Sequence, residues 1–132
     1  MQEIALYIEN AMAETGKLDL SATTLRQAEE RALKTFVGRI QESFPDQILQ
    51  VSLFGSKARG ESDADSDVDV LIIINQDNRS LRRDIIDIAS DLSLEYDVLL
   101  SPRFISIQHW QARQGFSLYQ NIARDALPIS IS

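Results

Sequence analysis

Apolar residues recur along this chain at two different periods, and each change of period marks a new element. Ile4, Ile8, Ala11 and Met12 fall at helical spacing and predict a short amphipathic helix over residues 2–14, closed by Gly16. A longer helical stripe follows Ser21, a candidate N-cap, through Leu25, Ala28, Ala32, Leu33, Phe36, Val37, Ile40 and Phe44, and stops at Pro45. The period then falls to that of strands over Ile48 to Phe54 and Val68 to Ile74, and the second of these is apolar enough to be central in a sheet. Asn75 to Asn78 is turn chemistry, after which Ser80 can cap a helix bearing Leu81, Ile85, Ile88, Ala89 and Leu92. Tyr96 to Ser101 reads as a third strand, ended by Pro102. Ser106 can start a helix through Gln111, and a last helix over 116–126 forms around Phe116, Leu118, Tyr119 and Ile122. The order α-α-β-β-α-β-α predicts an α+β domain with helices against one face of a small mixed β-sheet.

Composition narrows this picture. With 132 residues, 44% of them hydrophobic, the chain is expected to form a single domain over 1–132, in which 1–20 is an N-terminal helical extension and 21–132 the core. It has no cysteine, so disulfides and thiolate metal sites are excluded. It shows neither a charged-then-apolar leader nor an apolar run of membrane-spanning length, so a cytoplasmic protein without a membrane partner is expected. The net charge of −7 argues against direct nucleic-acid binding along a long track, which needs a basic stripe to displace counterions.

Part of that acidity is local. Glu61, Asp63, Asp65, Asp67 and Asp69 fall on alternate residues, and so many carboxylates repel one another unless cations or solvent screen them. A solvated loop accounts for Glu61 and Asp63. It does not account for Asp69, which lies within a strand leading into apolar residues and needs a partner there, a metal being the simplest. Asp67 and Asp69 point to one side of that strand, about 7 Å apart along it, and can share a divalent cation. Separated from Asp67 by ten residues, Gly55-Ser56 follows the first strand, and small residues there let backbone N–H groups approach an anion. Two look-alikes fail. A P-loop needs lysine after its second glycine, where this chain has Glu61; an EF-hand loop from Asp63 needs Gly at position 68 and Glu at position 74, which hold Val68 and Ile74.

Gly55-Ser56, ten intervening residues and Asp67-Val68-Asp69, with Arg59-Gly60 between, resemble the nucleotidyltransferase signature of the DNA polymerase β-like superfamily over roughly Val51 to Pro102. The resemblance implies that core fold and a two-ion Mg²⁺ site using ATP. Gly55, Ser56 and Arg59 would bind the nucleotide, with Lys57 either adding charge to the triphosphate or standing at the surface. Asp67 and Asp69 would be metal ligands and catalytic, joined by a third carboxylate on the next strand. Asp97 is the match, and Glu95, on the same face, the runner-up. His109 is expected at the surface or partly packed, Trp110 in the core or an interface, and Tyr119 in packing.

About thirty residues follow the third strand, too few for a separate acceptor domain, so the chain resembles a minimal nucleotidyltransferase. Tyr96 to Pro102 and Leu118 to Arg124 are similar to its antitoxin branch. That resemblance implies a protein adenylyltransferase, a type VII antitoxin, which moves AMP from ATP to a tyrosine of a HEPN-family ribonuclease toxin and releases pyrophosphate. The alternatives are a small-molecule nucleotidyltransferase of aminoglycoside type and an antitoxin that neutralises its toxin by binding alone.

Overall fold

Helix α1 (Gln27–Ser43) turns the predicted stripe inward, burying Ala32, Leu33, Phe36, Val37 and Ile40, and Phe44 caps it just before Pro45. The structure, a computed structural model, describes residues 25–60 and 67–129. The expected helix over 2–14, the extension over 1–20 and the Ser21 cap lie outside the described residues. Among those described, the Arg26 N–H begins α1 by donating to Glu29 Oε1 at 2.8 Å, so the start is closed by a carboxylate from its own first turn.

Strands β1 (Ile48–Phe54) and β2 (Val68–Ile74) have the predicted bounds and pair antiparallel. Between them lies a short helix, α2 (Gly55–Arg59), where the sequence suggested only a turn. Asn78, rather than Ser80, caps helix α3 (Arg79–Tyr96): its Oδ1 accepts the N–H groups of Ser80 and Leu81 at 2.9 and 3.2 Å.

The expected third strand is displaced. Helix α3 runs on through Tyr96, and Asp97 is its C-cap with φ 52° and ψ 51°, so Asp97 is not in a strand. Ser93 organises the change of direction. Its backbone carbonyl accepts from Val98 N–H at 3.0 Å, while its Oγ donates to Ala89 O at 2.7 Å and accepts from Leu100 N–H at 3.0 Å. Strand β3 is Leu100–Ser106 and runs parallel to β2, with Pro102 inside it rather than ending it. Proline is tolerated because β3 is an edge strand, where a missing N–H leaves no neighbour unpaired.

Ser106 does cap helix α4 (Ile107–Ala112), through Oγ to His109 N–H at 3.2 Å, and helix α5 (Ser117–Asp125) falls within the predicted last helix. A two-residue strand, β4 (Leu127–Pro128), pairs with β1 and was not foreseen. The sheet order is β3-β2-β1-β4, mixed as expected. Helices cover both of its faces, however, not one. On one side α1 and α3 pack on Val51, Leu53, Val68, Val70, Ile72 and Ile74; on the other, Leu71 and Ile73 pack with Ile107 and Trp110. Central β2 is therefore apolar on both sides, and Asp69 is its exception. Among the described residues no helix is long and apolar enough to cross a membrane.

Candidate functional site

The end of β1 and the start of β2 lie side by side, with Phe54 opposite Asp69 in the ladder. The chain then turns at Gly55, whose φ of +75° belongs to the left-handed region that glycine enters without steric cost. A Cβ on Gly55 would stand 2.5 Å from Asp69 Oδ2, closer than any real contact. Glycine is thus required twice, for its backbone angle and for the space the carboxylate occupies. The two halves of the sequence motif meet at this contact.

Asp69 is half-buried within β2, and Asp67 is exposed immediately before it. Burial raises the pKa of Asp69 above the usual aspartate value; the Arg103 guanidinium opposes the rise, the neighbouring Asp67 carboxylate adds to it, and Arg59 opposes it. Arg103 was not singled out from sequence. Its position follows from the register: Asp69 pairs with Ser101 and Leu71 with Arg103, so Arg103 is the diagonal neighbour of Asp69 on the same face. Only the parallel pairing of β3 brings the two together, and nothing in the local sequence around Arg103 signals it.

Arg59, the exposed last residue of α2, is close enough to act on Asp69 electrostatically. Ser56 is the second residue of α2; its side chain, like Glu61, Asp63 and Asp65, lies outside the described part of the structure. Lys57 takes neither of its expected roles. It is fully buried, and its Nζ lies 3.0 Å from Oε1 of Glu29, itself 1% exposed. This ion pair ties α2 to the first turn of α1 and so braces the turn at Gly55 from behind.

Asp97, at the end of α3, is exposed, as is Glu95 two residues earlier. Among the described residues no three His, Cys, Asp or Glu side chains gather closely enough to share a metal ion, so Asp97 does not join Asp67 and Asp69 in this structure. The carboxylate pair fits a hard divalent cation nonetheless. Asp69 is desolvated and crowded by Asp67, a setting that a bound divalent cation would relieve, and both side chains offer the oxygen donors that such a hard cation takes. His109 is exposed, Trp110 is buried, and Tyr119 packs against Trp110 with ring centroids 5.7 Å apart.

Over residues 33–123 the chain matches the nucleotidyltransferase domain family. Two proteins of Methanocaldococcus jannaschii, both carrying the provisional name of protein adenylyltransferase, are similar to it. One is 45% identical over 71 residues, 53% of this chain and 72% of the relative. The other is 30% identical over 97 residues, 74% of this chain and 93% of the relative. A solved toxin–antitoxin structure of MntA with a mutant HpeT is similar at a TM-score of 0.46 and 13% identity, covering 75% of this chain and 72% of that one.

Proposed function

This chain belongs to the nucleotidyltransferase domain family, and on that premise we propose that it is a protein adenylyltransferase that moves AMP from ATP to a tyrosine of a HEPN-type ribonuclease toxin, as its antitoxin. The observation that carries the chemistry is the contact of Gly55 with Asp69, which sets a metal-binding carboxylate against the turn suited to phosphates. Two relatives named as protein adenylyltransferases, one of them matched over 93% of its length, support a protein acceptor.

In this reading Gly55 and Ser56 receive the β- and γ-phosphates through backbone N–H groups and a hydroxyl, as small residues at a turn allow. Asp67 and Asp69 hold divalent metal, and Mg²⁺ bound there would offset charge on the attacking and departing oxygens of the displacement. Arg59 and Arg103, both close enough to act on the Asp69 carboxylate, add fixed positive charge where the pyrophosphate leaves. Asp97 is assigned to the acceptor side, because the segment after it reaches the carboxylates: Val68 N–H donates to Leu99 O at 2.8 Å. An acceptor hydroxyl is far more basic than a carboxylate, so Asp97 serves to receive a proton already loosened at the site.

The test is direct. Purified protein, Mg²⁺, ATP labelled in its α-phosphate and the toxin are mixed, and the label is followed to the toxin by gel and by intact mass. Transfer that EDTA stops supports the reading; transfer indifferent to EDTA, or none onto a toxin that binds, overturns it.

A further inference from the structure

Two adjoining cavities share Arg82 and Phe104 and are lined by neither Asp67 nor Asp69; they run along the edge strand from Pro102, the ladder partner of Val70, to Ser106, the partner of Ile74. One, of about 350 Å³, lies between α3 and the edge strand and is lined by Arg79, Arg82, Arg83, Ile86, Pro102 and Phe104. The other, of about 230 Å³, is lined by Asp77, Arg82, Phe104, Ser106, His109 and Tyr119, among others. We propose that this trough is a second anion site, separate from the catalytic carboxylates, that takes a nucleoside phosphate.

Charge placement is the first argument. The chain carries 13 basic and 20 acidic residues, yet Arg79, Arg82 and Arg83 crowd the start of α3, which has no acidic residue in its first turn. The helix macrodipole is positive there and disfavours cations, so the cluster is not explained by helix stability. Arg82 Nε lies 3.3 Å from Asp77 Oδ1, but the contact lacks hydrogen-bond alignment and the buried Nε keeps its donor. Among the described residues neither Arg79 nor Arg83 is in an ion pair. Guanidinium groups bind phosphate with paired N–H donors, which a lysine patch does not do.

The second argument is what stands beside the arginines. Phe104 and Tyr119 are half-buried and offer ring surface to the cavities, and His109 is exposed at the rim. Arginine beside aromatic rings suits a base joined to a phosphate, whereas an oligoglutamate carries anionic charge without an aromatic ring to stack. Each cavity alone is at or below the small end of ligand sites, about 300–1,000 Å³, and as one trough they have room for a nucleotide. The trough is short, in keeping with a chain of net charge −7.

Trp110 is the chain's one tryptophan and lies 5.7 Å from Tyr119, so its fluorescence reports on the trough. The experiment titrates AMP, a tetra-adenylate RNA and an oligoglutamate into the Asp67→Ala, Asp69→Ala double variant in EDTA. Equilibrium dialysis of labelled AMP serves as a second readout, so a silent fluorescence signal does not decide the matter. Saturable binding of AMP or the RNA is expected, weakened at least about tenfold by Arg82→Gln, Arg83→Gln, a pair of partly or fully exposed side chains. Tighter binding of the RNA identifies a strand as the source of the phosphate; equal binding identifies a free nucleotide. No binding by either readout, binding indifferent to the arginine substitutions, or oligoglutamate binding as well as AMP overturns the proposal. Because the double variant lacks both motif carboxylates, failure here leaves the adenylyltransferase reading standing, and the converse also holds.

Discussion

Lys57 Nζ and Glu29 Oε1 stand 3.0 Å apart inside the protein, the lysine side chain 0% and the glutamate side chain 1% exposed. The pair joins residues 28 positions apart and anchors the short helix that begins at Gly55 to the helix that covers the sheet. A lysine two residues after Gly55 invites a reading as a phosphate ligand. Its burial makes it a brace.

Breaking that brace from one side should be costly. Lys57→Met leaves Glu29 buried without this partner, and a loss of about 3–5 kcal/mol is expected in urea unfolding. Lys57→Met combined with Glu29→Leu should recover much of the loss, since an apolar pair of similar volume carries no desolvated charge. A single variant as stable as the wild type would show that the pair does not hold α2 in place.

Gly55→Ala should leave a folded protein with little activity. The added Cβ meets Asp69 Oδ2 at 2.5 Å and the backbone angle is strained for alanine, so the carboxylate must move. A shift of about 1 Å in a catalytic group lowers turnover by about 100-fold. Label transfer measured beside a circular dichroism melt checks this; transfer at the wild-type rate would remove the Gly55–Asp69 contact from the mechanism.

The Asp69 carboxyl, raised by burial, predicts how metal-free stability changes with pH. Its folded pKa lies above its unfolded one, so its contribution is fully present below the unfolded pKa and is lost as pH rises through the folded value. Asp69→Asn, which cannot ionise, should therefore be more stable than the wild type at neutral pH in EDTA, and the gap should close in acid. Urea midpoints at pH 4 and pH 7 measure it. Added Mg²⁺ should stabilise the wild type and not the variant.

Asp97→Asn isolates the third carboxylate. Asparagine tolerates the left-handed angle at the end of α3, so stability should change by no more than about 0.5 kcal/mol. If Asp97 serves the acceptor, turnover should fall while ATP affinity holds. Inactivity of Glu95→Gln beside a normal Asp97→Asn would transfer the role to Glu95.

Neutralisation by chemistry and by occlusion differ in stoichiometry. A small amount of wild-type protein with ATP should silence many toxin molecules, which stay inactive after separation and weigh one or more AMP units more. The Asp67→Ala, Asp69→Ala variant should not do so. Full neutralisation by that variant at matched amounts, with no gain in toxin mass, would establish occlusion.

Local pattern determined much of this protein. The bounds of β1 and β2, the stop of α1 before Pro45, the Ser106 cap and the α+β class with a mixed sheet follow from periodicity and punctuation, because the forces that set them act within a few residues. The Asp67-x-Asp69 and Gly55-Ser56 segments were legible for the same reason. Tertiary structure alone decided the rest. The Tyr96 to Ser101 segment alternates well enough to be a strand, yet the helix keeps Tyr96, the left-handed Asp97 ends it, and Ser93 ties down the turn that delays β3 to Leu100. That shift, with the parallel register, places Arg103 rather than a third carboxylate on the face of Asp69. The partner of Lys57 lies in another helix, and the trough beside Phe104 forms only where α3 meets the sheet edge. Contacts between distant segments depend on how elements pack, and no window of sequence contains both sides of them.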